Sequence, residues 1–204
     1  MRGLKELVKD ERLRARVLER VEEFELNRRA SNEKWFRELL LCILTANSSF
    51  ISAYGAWNNI YDIILTGDRN LISKRLRDSG YRFYNIKSGY LVSALKWRRS
   101  LRDAVFPVAK RDQFEAREFL LQIDGIGLKE ASHFLRNVGF YELGIIDRHV
   151  IDYLSEYVPV KTSLTRKRYL YLESVLSSIS RNFNLKPGIL DLYLWYRETG
   201  TILK

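Results

Sequence analysis

The 204-residue chain carries 35 Lys+Arg against 25 Asp+Glu, a formal charge of +10 with a pI near 9.7, so its partners are expected among polyanions, nucleic acid foremost. A single cysteine, Cys42, excludes an internal disulfide, a cysteine-rich zinc site and a four-cysteine iron–sulfur cluster. No apolar run approaches the roughly 18 residues of a membrane span and MRGLKELVKDERLR has no apolar signal core, which implies a soluble, intracellular protein, cytoplasmic or nucleoid-associated, with no membrane partner.

Apolar residues recur at helical spacing, alternating strand patterns are scarce, and the chain holds only 3 prolines, so an all-α fold is expected. The first segment sets Leu4, Leu7, Val8, Val17, Leu18, Val21 and Phe24 among charges, as a core-facing helical stripe would. Helices are predicted near Trp35–Thr45, Ser49–Ile64, Asn70–Arg77 and Asn85–Trp97. Cys42, inside LLLCILTA, reads as a small buried hydrophobe, and Asn47 as a cap for the helix after it. Arg98–Arg111, broken by Phe106-Pro107, reads as an internal connection. Further helices are predicted at Gln113–Gln122, Lys129–Asn137, Arg148–Tyr157, Thr165–Asn182 and Gly188–Tyr196, with a stop at Gly200.

The stretch LLQIDGIGLKEASHFL, Leu120 to Leu135, carries the most chemistry. It joins two helical runs through Asp-Gly-Ile-Gly, where Gly125 and Gly127 permit φ > 0 and close backbone approach, so that their amides can meet a DNA phosphate. Lys129 then falls in the first turn of the second helix, where the macrodipole disfavours a cation. An ammonium so placed is a candidate for a neutral, nucleophilic amine. Asp147, in GIIDRHVIDYL, reads first as the N-cap of the following helix; with a phosphate-gripping loop and an amine in the same fold, its carboxylate could also stabilise an oxocarbenium ion.

Taken together, LLQIDGIGLK followed by IIDRHV resembles the helix-hairpin-helix-Gly/Pro-Asp superfamily of base-excision DNA glycosylases. The length, the lone cysteine, GYRFYNIKSGYL and the lysine C-terminus are similar to the archaeal 8-oxoguanine DNA glycosylases of the second type. The resemblance implies two helical subdomains with the active-site cleft between them: residues 1–30 plus 129–204, and residues 31–128, with the helix-hairpin-helix over 113–137. It implies a bifunctional enzyme acting on double-stranded DNA that contains 8-oxoguanine. Lys129 would attack C1′ and form the Schiff base that leads to β-elimination, and Asp147 would assist. No cofactor would be required, although a monovalent cation could sit on hairpin carbonyls near Ile123, Gly125 and Gly127. A monomer is expected.

Several side chains complete the expected site. Arg82, Phe83 and Tyr84 offer a cation and two flat rings at a helix start, suited to filling the gap left by an extruded base, with helix-start packing the alternative for Phe83. Trp195, beside Tyr196, could stack on that base. Lys204 ends the chain with a main-chain carboxylate able to accept from N1–H and N2–H₂ of the lesion, and the resemblance gives that lysine a place in the base pocket. His133 and His149 lack a third ligand nearby and read as structural. Asp152, one turn from Arg148, reads as a surface helix pair. The rival readings are an endonuclease III-like glycosylase for oxidised pyrimidines and a noncatalytic helix-hairpin-helix module that only grips DNA.

Overall fold

The structure is a computed structural model that describes residues 2–159 and 164–202. Those residues form α-helices joined by short loops, with no strand among them. In chain order the first helices are α1 (Arg2–Lys9), α2 (Glu11–Arg29), α3 (Asn32–Thr45), α4 (Phe50–Ile60), α5 (Arg69–Asp78) and α6 (Tyr84–Ala94). Then come α7 (Leu101–Arg111), α8 (Gln113–Leu120), α9 (Leu128–Asn137), α10 (Arg148–Leu154), α11 (Arg166–Asn182) and α12 (Pro187–Thr199). Short 3₁₀ turns lie at Ile64–Thr66 and Leu95–Trp97. The chain divides into two compact units: residues 30–134, and residues 1–29 with 135–204.

The unit of residues 30–134 is built around α3. Its LLLCIL run is apolar on every face, and the helix is accordingly buried from Leu39 to Leu44, with Cys42 a free, buried thiol. Trp35 is fully buried, with Phe134 edge-on to it at 5.7 Å and Phe106 at 6.3 Å. The helix starts are capped as their sequences suggest. Ser31 accepts from the Lys34 amide, Asp68 from Asn70 and Leu71, and Asp112 from Phe114 and Glu115.

Two local expectations fail here. Residues 101–111, expected to be part of a connection, form α7 with Pro107 inside it. Leu101, Val105 and Ala109 recur every four residues and are all buried; that stripe outweighs the roughly 3 kcal/mol that an interior proline costs. Asn47 does not cap α4. Ser49 does, its hydroxyl accepting from the Ser52 amide at 3.2 Å. Asn47 instead takes φ 60 just after α3, a left-handed conformation that Asn tolerates better than most residues.

In the other unit α2 and the end of α9 meet closely. Gly139 follows α9 at φ +85, its amide bonded to Arg136 O and that of Phe140 to Leu135 O, a helix-ending motif that needs a residue without Cβ penalty. A Cβ there would stand 2.9 Å from Arg28 Cβ and 3.1 Å from Phe24 O. Arg136 and Asp191 form a buried ion pair between α9 and α12. α12 ends as expected at Gly200, in the left-handed region with its amide on Tyr196 O.

Candidate active site

The helix-hairpin-helix stretch comprises α8, the loop 121–127 and α9. Its two helices are tied by Arg117, which is 1% exposed and donates to the Ser132 hydroxyl at 3.3 Å. The loop closes through Ile126 N–H to Ile123 O at 3.1 Å. It docks on α6 at two points. Ser93 donates to the Asp124 carboxylate at 2.7 Å, and Gly125, at φ +83, lies so close to the Tyr90 ring that a Cβ would be 2.5 Å from Cδ2.

Of the two hairpin glycines only Gly125 takes the left-handed backbone. Gly127 instead precedes α9, and its amide donates to Glu130 Oε2 at 3.3 Å. A Glu three residues into a helix reaching back to the amide before it is half of a capping box. Lys129 occupies the first turn of α9 as expected, partly buried, with Nζ 3.6 Å from Glu130 Oε1. On α6, Lys87 is 5% exposed and donates through Nζ to Ile43 O at 2.7 Å. Desolvation pushes the Lys87 ammonium down to about 8, Glu130 raising it and Lys129 lowering it further.

Arg82 and Phe83 precede α6, the guanidinium 4.4 Å from the ring centroid; Arg82 is exposed and Phe83 half-buried. Tyr81 just before them anchors the turn. Its hydroxyl donates to Leu44 O, and burial pushes its phenol up to about 12. One helix, α6, therefore places the Arg82-Phe83 pair at its start and backs the hairpin along its length.

Asp147 belongs to the other unit. It caps α10, Oδ1 accepting from the Val150 amide at 2.9 Å, as its sequence position suggests. The segment leading to it is fixed by α11. Glu173 accepts from the Gly144 amide at 2.9 Å, and the Tyr169 hydroxyl donates to Gly144 O at 2.9 Å while accepting from Ile146 N–H at 3.3 Å. A side chain at Gly144 would press on Leu176 and Glu173 at 3.1 and 3.2 Å. Two residues past Asp147, the His149 ring meets Trp195 edge-on at 4.9 Å and 82°. The Trp195 indole N–H is buried and has no hydrogen-bond partner among the described residues. Lys204 lies outside the described residues. No group of three His, Cys, Asp or Glu among the described residues could hold a metal, and no helix there is long and apolar enough to cross a membrane.

Residues 17–185 match the family described as 8-oxoguanine DNA glycosylase. The chain belongs to that family. The 8-oxoguanine DNA glycosylase/AP lyase of Sulfurisphaera tokodaii is 53% identical over 98% of this chain and 100% of its own length, and that of Metallosphaera sedula 52% over the same shares. Among solved structures, the Methanocaldococcus jannaschii 8-oxoguanine glycosylase/lyase in complex with a 15mer DNA containing 8-oxoguanine superposes with a TM-score of 0.92, at 38% identity and covering 100% of both chains. The 8-oxoguanine DNA glycosylase of Thermotoga maritima gives 0.85 at 36% identity, covering 98% of this chain and 100% of its own.

Three members of this glycosylase's hairpin setting escape a reading of the sequence: Lys87, Tyr90 and Glu130. Glu130 had a signal, since Gly127 to Glu130 has capping-box spacing. Tyr90 had none beyond its helix period. Lys87 looks like any surface lysine until α3 supplies the carbonyl that holds it.

Proposed function

We propose that this chain is a bifunctional DNA repair enzyme that excises 8-oxoguanine and cleaves the resulting abasic site. The observation that carries the reading is Lys129 in the first turn of α9, directly after a glycine hairpin, in a chain of the 8-oxoguanine DNA glycosylase family. The Lys129 nitrogen attacks C1′; the C1′–N bond forms as the C1′–N9 bond breaks, and the departing base takes up a proton. Opening of the sugar ring gives the imine, loss of a C2′ proton then expels the 3′ phosphate, and water releases the lysine. Asp147, held by the Val150 amide, supplies the negative charge that a cationic sugar needs.

The hairpin grips backbone phosphate through the Gly125 amide, and basic surface adds counterion release. Arg82 and Phe83 fill the gap in the stack, Trp195 flanks the extruded base, and Lys204 contributes to its recognition. A monovalent cation is compatible with the hairpin: the carbonyls of Ile123 and Gly127 each accept one backbone amide and keep a second lone pair. No step requires it. The enzyme works as a monomer inside the cell, at the nucleoid.

Borohydride trapping tests this reading on duplexes carrying 8-oxoguanine, an oxidised pyrimidine or no lesion. The expected result is a covalent adduct with 8-oxoguanine duplex, mapped to Lys129 by mass spectrometry and absent in Lys129→Gln. Preferential trapping on the pyrimidine lesion would favour the endonuclease III-like reading, and binding with no adduct would leave a DNA-gripping module.

A further inference from the structure

The four residues before Asp147, Leu143 to Ile146, belong to no helix and are all buried. Buried backbone outside a helix or sheet must find its hydrogen-bond partners elsewhere. Here α11 provides them. Glu173 Oε1 accepts from the Gly144 amide at 2.9 Å, and the Tyr169 hydroxyl lies between two backbone groups, donating to Gly144 O at 2.9 Å and accepting from Ile146 N–H at 3.3 Å. Both side chains are themselves buried. Gly144 lets the strap lie this close, since a Cβ there would already stand 3.1 Å from Leu176 Cδ2.

Asp147 comes directly after this strap. Its amide turns back to Ile145 O at 3.1 Å, while Oδ1 accepts from Val150 N–H and its carbonyl from Ile151 N–H, each at 2.9 Å. The backbone is thus fixed on both sides of the residue, by α11 side chains before it and by helix bonds after it. Capping alone needs only the second of these, because a cap is made between a residue and its own helix. A charge that must stand at a forming cation needs both, since its effect depends on being held in place before the reaction begins. We propose, on the reading that Asp147 supplies the charge at the reacting sugar, that Tyr169 is a positioning residue for the Asp147 carboxylate. Its one hydroxyl, bridging Gly144 and Ile146, sets where the strap delivers Asp147.

The test is a double-variant cycle on the single-turnover rate of 8-oxoguanine release from duplex DNA, with thermal unfolding followed on the same four proteins: the wild type, Tyr169→Phe, Asp147→Asn and the two combined. Tyr169→Phe keeps the ring and removes only the bridge. It is expected to slow release about tenfold, a part of what losing the Asp147 charge would cost. In the Asp147→Asn background the same change is expected to leave the rate within about twofold, because the charge it would misplace is already gone. The unfolding temperature should fall equally in both backgrounds. A tenfold loss of rate in both, or none in the wild type, overturns the proposal and leaves Tyr169 serving the fold alone. Gly144→Ala presses the strap against Leu176 and Glu173 without removing a hydrogen-bonding group; it is expected to follow the same pattern and decides alone if Tyr169→Phe fails to fold. Asp147→Asn at the wild-type rate would instead defeat the role given to Asp147, and the proposal with it.

Discussion

The α-carbon of Gly125 rests on the ring of Tyr90, with room for a hydrogen and none for a methyl group. Because Gly125 also takes φ +83, Gly125→Ala meets two penalties, a left-handed backbone of about 1–2 kcal/mol and overpacking of about 1–3 kcal/mol. Thermal unfolding should show the sum, and duplex affinity should fall with it. Adding Tyr90→Ala should return the packing part and leave the backbone part. Full recovery in the double variant would mean that the backbone conformation is not strained.

Asp147 separates cap from charge. Asp147→Asn still accepts from the Val150 amide and should unfold within a few degrees of the wild type, while excision falls on the order of a hundredfold because the developing cation loses its counter-charge. Asp147→Ala should lose the rate and also about 1 kcal/mol of stability. Equal rates for Asn and Asp would reduce Asp147 to a cap.

How much of this was legible beforehand depended on whether the cause was local. The hairpin, the first-turn Lys129 and the Asp147 cap rest on turn and capping chemistry written within a few residues, and each stands where its sequence places it. α7 was hidden by Pro107, since the stripe Leu101, Val105 and Ala109 gains its weight only from the core it meets. The meeting of His149 with Trp195, and the carbonyl of Ile43 under Lys87, join segments far apart in the chain. No local pattern encodes them.

The ion pair of Arg136 and Asp191, side chains 4% and 8% exposed, should behave as a buried pair does when broken. Asp191→Ala removes the carboxylate facing Arg136, which keeps its bond to Asn137 Oδ1 at 3.1 Å, and is expected to cost about 3–5 kcal/mol in denaturant unfolding. Replacing both residues with apolar side chains of similar size should cost much less. A small loss from Asp191→Ala would show that other groups satisfy Arg136.

Lys87 makes stability depend on pH. Its folded value, about 8, lies below the ordinary 10.5, so between those values the unfolded chain binds a proton that the folded chain does not, and stability rises with pH. Below about 8 the full penalty is present. Lys87→Met removes the group, so its stability advantage over the wild type should be largest at neutral pH and shrink as pH approaches 10.5. Tyr81, raised to about 12, works in the other direction above the ordinary phenol range of 10 in both proteins and cancels in the difference. A pH-independent difference would place the Lys87 nitrogen in water.

Duplex binding should weaken steeply with salt, the logarithm of affinity falling by about 0.9 per phosphate neutralised for each logarithmic unit of salt. Arg82→Ala should lower that slope if its guanidinium meets a phosphate, and leave it unchanged if the side chain serves only the stack. A flat salt response in the wild type would contradict the phosphate footprint.

α6 is eleven residues long, a rod of about 16 Å, gripping the hairpin through Tyr90 and Ser93 and beginning where Arg82 and Phe83 end. A helix transmits a push along its axis with little give, because every turn is braced by its own hydrogen bonds. If Phe83 fills the stack as proposed, pressure on its ring would reach the loop held at Gly125. Kinetic effects of a Phe83 variant then report on the seating of the loop as well as on the space the ring fills, and the two are told apart only by measuring loop and lesion separately.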